Sequence, residues 1–395
     1  MKVAIVCDWL TNVGGAEKVL LEIHRIFPDA PIYTSKYSKR GINWFDDADV
    51  RTGWLQIFPT CFRRFLGPLR QRWFSRLDLF EYDLVISVTG AEAKAVCRLK
   101  PGAKHISYCH VPTQYYWQLY DTYLKNPGFG ILNPLVRFFF KLLVKPLRKA
   151  DFEAAQHVDE FITISSYAKE LISKYYKREA TVIHPPVEVD AFSNRKDLSR
   201  AASGRPVATG DRRSYSRCRA PYSLETSFSV APYITTSRQV NWKRLDLAVK
   251  ACRELKRELL VVGEGPEHGR LVKMAENSEF VKFLPLQRRE ELAGLLAEAR
   301  GYIFPSLEPF GIAPVEALSA GCPVIAFGEG GALDYIKDGK NGILFDKQNV
   351  SSLKAAILEF EKMKFDREKV SETAREFGVK RFDQEIKEFV DEKVV

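Results

Sequence analysis

The chain has 395 residues, long for one domain and comfortable for two that each bury a core. Hydrophobic content of 46% with 28% charged residues is ordinary globular composition, and no window holds the roughly 18 uninterrupted apolar residues of a membrane span. The net charge of +10 suggests an anionic partner, but residues 195–219 hold eight Lys/Arg against Asp197 and Asp211, a net +6 that leaves only +4 elsewhere, so no nucleic-acid partner is expected.

Residues 3–7 read as a buried parallel strand, and Asp8-Trp-Leu-Thr-Asn-Val-Gly14-Gly15-Ala-Glu17 follows as a glycine turn into a helix over 18–27. The layout suits a phosphate, although Gly14-Gly15 also serves as plain strand-to-helix punctuation. It is not the glycine fingerprint of dinucleotide enzymes, and the next strand, over 31–34, lacks the acidic end that would take a ribose. The chain enters its first strand without a cationic leader, so a secretory signal is not expected and a cytoplasmic location is. Seven cysteines without Cys-x-x-Cys spacing and six scattered histidines give no metal or redox motif.

Two basic, aromatic stretches come next, residues 61–74 and 134–149. Each fits a short helix lying on an anionic membrane surface, at its inner face, and each equally fits a core-packed helix with snorkelling bases. Between them, 82–88 and 104–109 read as strands, the first followed by a helix over 91–97. The second ends in His110-Val-Pro112-Thr-Gln114-Tyr-Tyr116-Trp117, at the carboxyl edge where open α/β sheets bind ligands; a lone histidine can also simply satisfy local hydrogen bonds. Strands over 161–165 and 180–187 flank a helix over 167–176, and Pro185-Pro186 marks the exit from this domain.

Residues 194–232 are rich in Arg, Ser, Gly and Pro, lack periodicity, and exceed the usual connection of about 4–6 residues. A disordered linker is the expectation; a basic tether and a local disturbance of the reading frame are the alternatives. Order resumes at Tyr233-Ile-Thr-Thr and Ser237-Arg238, with Lys243 five residues on, then a helix over 247–255. A guanidinium and an ammonium at one strand edge would neutralise a diphosphate, unless both are merely solvated. Strands over 258–262 and 280–284, the latter ending at Leu284, and 301–305 lead to Ser306-Leu-Glu308-Pro-Phe310-Gly311-Ile312-Ala-Pro314-Val-Glu316. Gly311 permits close backbone approach, Pro314 suits the first turn of a helix, and the opening amides can face an anion. The two carboxylates, Glu308 and Glu316, are acceptors for sugar and ribose hydroxyls, so this stretch reads as a floor for a sugar nucleotide. Another glycine turn, Gly328-Glu-Gly330-Gly331, is a further candidate donor contact, and 371–395 looks helical.

The stretch from Glu308 to Glu316 resembles the Glu-x7-Glu motif of retaining glycosyltransferases of family 4 (glycosyltransferases group 1). Residues 110–117 are similar to the His-x-Pro…Tyr-x-Trp signature of bacterial GDP-mannose-dependent mannosyltransferases of O-antigen and exopolysaccharide synthesis. Those relatives usually carry Met-Arg where this chain has Thr113-Gln114, Asp where it has Gln118, and Pro-Tyr where it has Asn241-Trp242. The resemblance implies the GT-B fold, α/β with two Rossmann-like doubly wound parallel-sheet domains facing a cleft. It gives an acceptor-side domain over 1–192, the irregular basic linker over 193–232, a donor-nucleotide domain over 233–370, and a helix over 371–395 packing back on the first domain.

As carried over, His110, Arg238, Lys243 and Glu308 are catalytic, and Gly14, Gly15, Arg238, Lys243, Leu284, Phe310, Gly311, Ile312 and Glu316 bind the donor. The implied reaction moves a hexose, mannose from GDP-mannose, to a lipid-linked or oligosaccharide acceptor, with no metal and no cofactor beyond the sugar nucleotide. A UDP-sugar transferase on the same scaffold and a catalytically impaired sugar-nucleotide binder are the alternatives.

Overall fold

The structure, a computed structural model, describes residues 1–60, 66–125, 130, 133–193, 230–276 and 278–394. They form two compact units, Met1–Pro186 with Phe382–Val395, and Val187–Arg381. The expected linker lies, over 194–229, outside the described residues.

The first unit is a seven-stranded parallel sheet in the order β3-β2-β1-β4-β5-β6-β7. Its strands are β1 (Val3–Cys7), β2 (Ile32–Thr34), β3 (Val50–Thr52), β4 (Leu84–Thr89), β5 (Lys104–Cys109), β6 (Glu160–Thr163) and β7 (Thr181–Val182). β4 is buried at every position and pairs in register with β1, Ala4 against Val85 and Ile5 against Ile86. Strands covered on both faces have no polar side, which is why β1, Val-Ala-Ile-Val-Cys, reads as an unbroken apolar run. The helix Gly15–Ile26 buries Val19, Leu20 and Ile23. The edge strand β3 was not anticipated, because Val-Arg-Thr offers no apolar run and is largely exposed.

The helix expected over 91–97 is instead a single 3₁₀ turn, Ala93–Ala95. The cause is Asp8, just past β1, whose buried carboxylate accepts the amides of Gly90, Ala91 and Ala93 at 2.9, 3.0 and 2.8 Å. The helix expected over 371–395 is broken into Arg367–Glu372, a 3₁₀ turn Arg375–Phe377 and Val379–Val394. Phe377 is buried at the break, and its carbonyl accepts the Val187 amide at 2.9 Å. Phe382 stands ring to ring with Tyr108 of β5 at 5.9 Å.

The second unit is a six-stranded parallel sheet in the order β10-β9-β8-β11-β12-β13. Its strands are β8 (Tyr233–Thr236), β9 (Leu259–Val262), β10 (Val281–Leu284), β11 (Gly301–Phe304), β12 (Val324–Phe327) and β13 (Gly342–Phe345). The helix Leu245–Leu255 lays Leu245, Ala248, Val249 and Cys252 into the core, and Val350–Phe360 adds Leu353, Ile357 and Phe360. Each fully buried Leu or Ile side chain contributes about 1.5–3 kcal/mol. In both sheets the strand order reverses beside the first strand: β1 lies between β2 and β4, and β8 between β9 and β11. Open α/β sheets bind ligands outside the carboxyl ends of the strands at such a reversal.

Candidate functional site

In the second unit the reversal brings the loop after β8 beside the loop after β11. β8 runs into Ser237-Arg238-Gln239, whose flanks are clamped. The Ser237 amide donates to the Val262 carbonyl at 3.1 Å. Gln239 is fully buried, its amide nitrogen donates to the Glu264 carbonyl at 2.8 Å, its Nε2 to the Gly263 carbonyl at 2.7 Å, and its Oε1 meets His268 Nδ1 at 2.9 Å. A side chain at Gly263 or Gly265 would block this contact, since a Cβ would stand 2.2 Å from the Ser237 carbonyl oxygen or 2.3 Å from that of Gln239. Arg238, between the two clamped residues, is exposed. Leu284, the last residue of β10, is buried and accepts the Gly263 amide at 3.0 Å, so it presents main chain at the strand end.

The chain then makes a 3₁₀ turn, Asn241–Lys243, closed by Arg244 at φ +52°. Arg244 Nε donates to Asp246 at 3.2 Å and its Nη1 to Gln348 Oε1 at 3.0 Å, while Gln348 Nε2 donates to the Pro305 carbonyl at 2.9 Å. These contacts tie the turn to the end of β11. There Lys243 Nζ forms an ion pair with Glu308 Oε1, and the Ser306 hydroxyl donates to the same oxygen at 2.8 Å. The ammonium also lies 4.5 Å from the Trp242 ring centroid. The two side chains are only 16% and 13% exposed, which lifts the pair above the near-zero worth of a solvated one.

Behind Glu308 lies the glycine turn after β12. The Gly331 amide donates to the Glu308 carbonyl at 2.9 Å. A Cβ at Gly330 would stand 2.5 Å from that carbonyl oxygen, and one at Gly331 would stand 2.3 Å from the Pro309 carbonyl oxygen. These glycines, singled out in the sequence as a donor contact, are packed on the back of the Glu308 loop. Gly311, at φ +94°, precedes the helix Ile312–Ser319, and Pro314 falls in its first turn. The Phe310 ring is buried against Tyr335 and Phe377, with centroids at 5.3 and 5.9 Å, so Phe310 offers its main chain and not its ring. The opening amides of a helix have no partner inside it and favour an anion. Glu316 lies half-buried one turn along from Ile312. An exposed guanidinium, a shielded ammonium, two carboxylates and a helix start therefore share one unit, a set suited to a diphosphate flanked by hydroxyls.

In the first unit Gly14 caps the helix Gly15–Ile26, with the Glu17 carboxylate so close that a Cβ at Gly14 would lie 2.8 Å from it. His110 follows β5, its amide donating to the Thr89 carbonyl at 2.8 Å and its ring lying edge-on to Tyr108 at 5.6 Å. Its Nε2 is buried without a hydrogen-bond partner among the described residues, and burial pushes its pKa down to about 4, so the imidazole is neutral at pH 7.

The tyrosines and tryptophan that follow point into a buried ionic network. Tyr116 donates to Glu92 at 3.2 Å, and Glu92 pairs with Arg70 at 2.8 Å. Trp117 Nε1 donates to Asp151 at 2.7 Å, and Asp151 also holds Lys94 Nζ at 2.6 Å, the Thr113 hydroxyl at 2.8 Å and the Tyr176 hydroxyl at 2.9 Å. Burial alone would push the Lys94 ammonium down, but the acidic groups around it, Asp151 foremost with Cys109 and Asp8, together outweigh it and the net direction is up. Asp8 was not singled out in the sequence, although its place directly after β1 was the available signal. Gln239 and Gln348 carry no such signal. Among the described residues no group of three or more His, Cys, Asp or Glu is placed to hold a metal ion.

Residues 231–377 match the family described as glycosyl transferases group 1. The chain is 23% identical over 247 residues to an uncharacterized glycosyltransferase of Methanocaldococcus jannaschii, a match covering 62% of this chain and 58% of that protein. It is 27% identical over 205 residues to the D-inositol 3-phosphate glycosyltransferase of Mycolicibacterium smegmatis, covering 49% of this chain and 42% of that one. The chain thus spans about half the length of these relatives. Among solved structures, HepE of Anabaena in complex with UDP superposes with a TM-score of 0.68 at 18% identity, over 99% of this chain and 100% of that one. The two parallel-sheet domains therefore have the GT-B fold, and the second is similar over residues 231–377 to glycosyl transferases group 1.

Proposed function

We propose that this protein is a retaining glycosyltransferase that moves a hexose, mannose from GDP-mannose, to a lipid-linked or polysaccharide acceptor of cell-surface glycan synthesis, at the inner face of the cytoplasmic membrane and without a metal ion. The observation that carries this reading is the Lys243–Glu308 ion pair beside the exposed Arg238 at the strand-order reversal of the second sheet. When a nucleoside diphosphate leaves a sugar, negative charge develops on its β-phosphate, and cations already fixed in place stabilise that charge without reorganising. Arg238 and Lys243 take this role. Glu308, held by Ser306 and Lys243, accepts hydrogen bonds from donor hydroxyls, and Glu316 accepts them from the ribose. Main chain at Leu284, Phe310, Gly311 and Ile312 receives the base and diphosphate.

From the first unit, His110 serves the donor sugar as a neutral imidazole, and Gly14 and Gly15 allow close backbone approach. No general base is assigned, because in a retaining transfer the departing phosphate can take the acceptor proton. Mannose and guanosine rest on the resemblance of residues 110–117. A uridine nucleotide is the second reading, favoured by the UDP held in the Anabaena structure.

Replacing Lys243 tests the assignment. Lys243→Ala is expected to lower kcat by about 10²–10³-fold, the cost of removing one fixed transition-state donor. Turnover within a few-fold of wild type removes the role given to Lys243.

A further inference from the structure

We infer that the outer face of the helix Asn133–Gln156 is the surface by which this protein docks on an anionic lipid bilayer. The two basic, aromatic stretches of the sequence have opposite fates. In the described part of the first, the helix Gly67–Phe74 turns inward: Phe74 is fully buried, and Arg70 is buried between Glu92 and the Trp9 ring, whose centroid is 5.0 Å away. The second does the reverse. Its inner face is set by Val144, Asp151, Ala154 and Ala155, which are buried, and by Phe140 against Tyr120 at 5.4 Å. Its outer face carries Leu135, Phe138, Phe139, Leu142 and Leu143, with Phe138 64% and Leu142 62% exposed.

At about 100° per residue, these five side chains fall in one arc of about 140° directly opposite Val144, Asp151 and Ala155. Lys145 and Lys141 lie about 20° and 60° beyond one border of that arc, while Arg137, on the azimuth of Ala155, donates to the Lys125 carbonyl; no Asp or Glu occurs from 133 to 150. Arg148 is occupied inside, donating to the Tyr116 carbonyl at 2.6 Å, and Lys149 sits 3.8 Å from Glu153 at the far end. No described helix is long and apolar enough to cross a membrane, so a bilayer would be met by the side of this helix.

Charge selects the occupant. An apolar stripe bordered by cations with no acid among them repels a second copy of itself, which would set Lys141 and Lys145 against like charges. It complements anionic headgroups, with the rings and leucines reaching the acyl boundary. This docking requires nothing of the transfer reaction.

Vesicle flotation of the full chain tests it without any turnover, using phosphatidylcholine vesicles with and without phosphatidylglycerol. The protein is expected to float with the anionic vesicles, to be released as salt rises, and to remain behind with pure phosphatidylcholine. Phe138→Ser with Leu142→Ser, and separately Lys141→Glu with Lys145→Glu, should each lower binding at least tenfold with far-ultraviolet circular dichroism unchanged, since these side chains are exposed. Wild-type protein that ignores anionic vesicles, or variants that bind as wild type does, overturn the inference. So does a concentration-dependent dimer that both variants abolish, since the face is then covered by a second copy.

Discussion

Gly311 stands at φ +94°, and a Cβ there would lie 2.7 Å from the Phe304 ring and 2.9 Å from the Tyr335 hydroxyl, which itself donates to the Phe310 carbonyl at 2.8 Å. The residue joins the loop of Glu308 to the helix of Glu316, so one methyl group there strains both carboxylate positions. Gly311→Ala is expected to cost about 1–3 kcal/mol, read as a lower urea midpoint, and to raise the donor KM. A wild-type midpoint and KM would mean the loop absorbs the change.

His105 and His110 supply a pH dependence. Burial pushes each imidazole down to about 4 from an ordinary value near 6.5, so folding favours the neutral form. Their contribution to stability is whole above pH 6.5 and is lost as pH falls from 6.5 towards 4. Asp8, raised by burial, acts in the opposite sense, so the difference between proteins is the measure. Between pH 7.5 and 5 the urea midpoint of wild type should fall more than that of His105→Asn, and equal falls would contradict the assignment for His105.

At the scale of elements, the buried Lys94–Asp151 pair holds the turn Ala93–Ala95 to the helix Asn133–Gln156. Lys94 and Asp151 are each 1% exposed, and removing one partner of such a pair leaves a buried charge uncompensated. Lys94→Met is expected to cost about 3–5 kcal/mol in urea unfolding, and a loss under 1 kcal/mol would show the pair to be dispensable.

The same turn shows where reading from sequence stops. Residues 91–97 have helical composition, but what decides their shape is a carboxylate just past a distant strand, Asp8, which no local pattern reports. By contrast, β9 follows its apolar run Leu259–Val262, and β1 follows 3–7, because strands covered on both faces leave no choice of pattern. Short β3 leaves no such trace. In the second unit the residue types of Arg238, Lys243 and Glu308 marked them as candidates for ligand chemistry. The tie that joins them, through Arg244, Gln348 and Pro305, depends on β8 pairing with β11, and a glutamine so far along the chain gives no hint of it.

At the scale of the whole molecule, both units carry one architecture, a parallel sheet whose order reverses beside its first strand, with glycines where loops cross closely. The alternation of strands and helices made this fold readable, since parallel strands need crossover connections. The residues proposed to meet the donor lie at the carboxyl ends beside the reversals, where backbone is clamped and side chains such as Arg238 are left exposed. The most direct measurement of the central claim is nucleotide release from GDP-mannose, UDP-glucose, UDP-galactose and UDP-GlcNAc, with membrane lipid extract as acceptor source and Glu308→Ala as control. Turnover of GDP-mannose alone, lost in the control, is the predicted result. Turnover of a UDP-sugar alone would replace the donor, and binding of every donor without turnover would contradict a transferase.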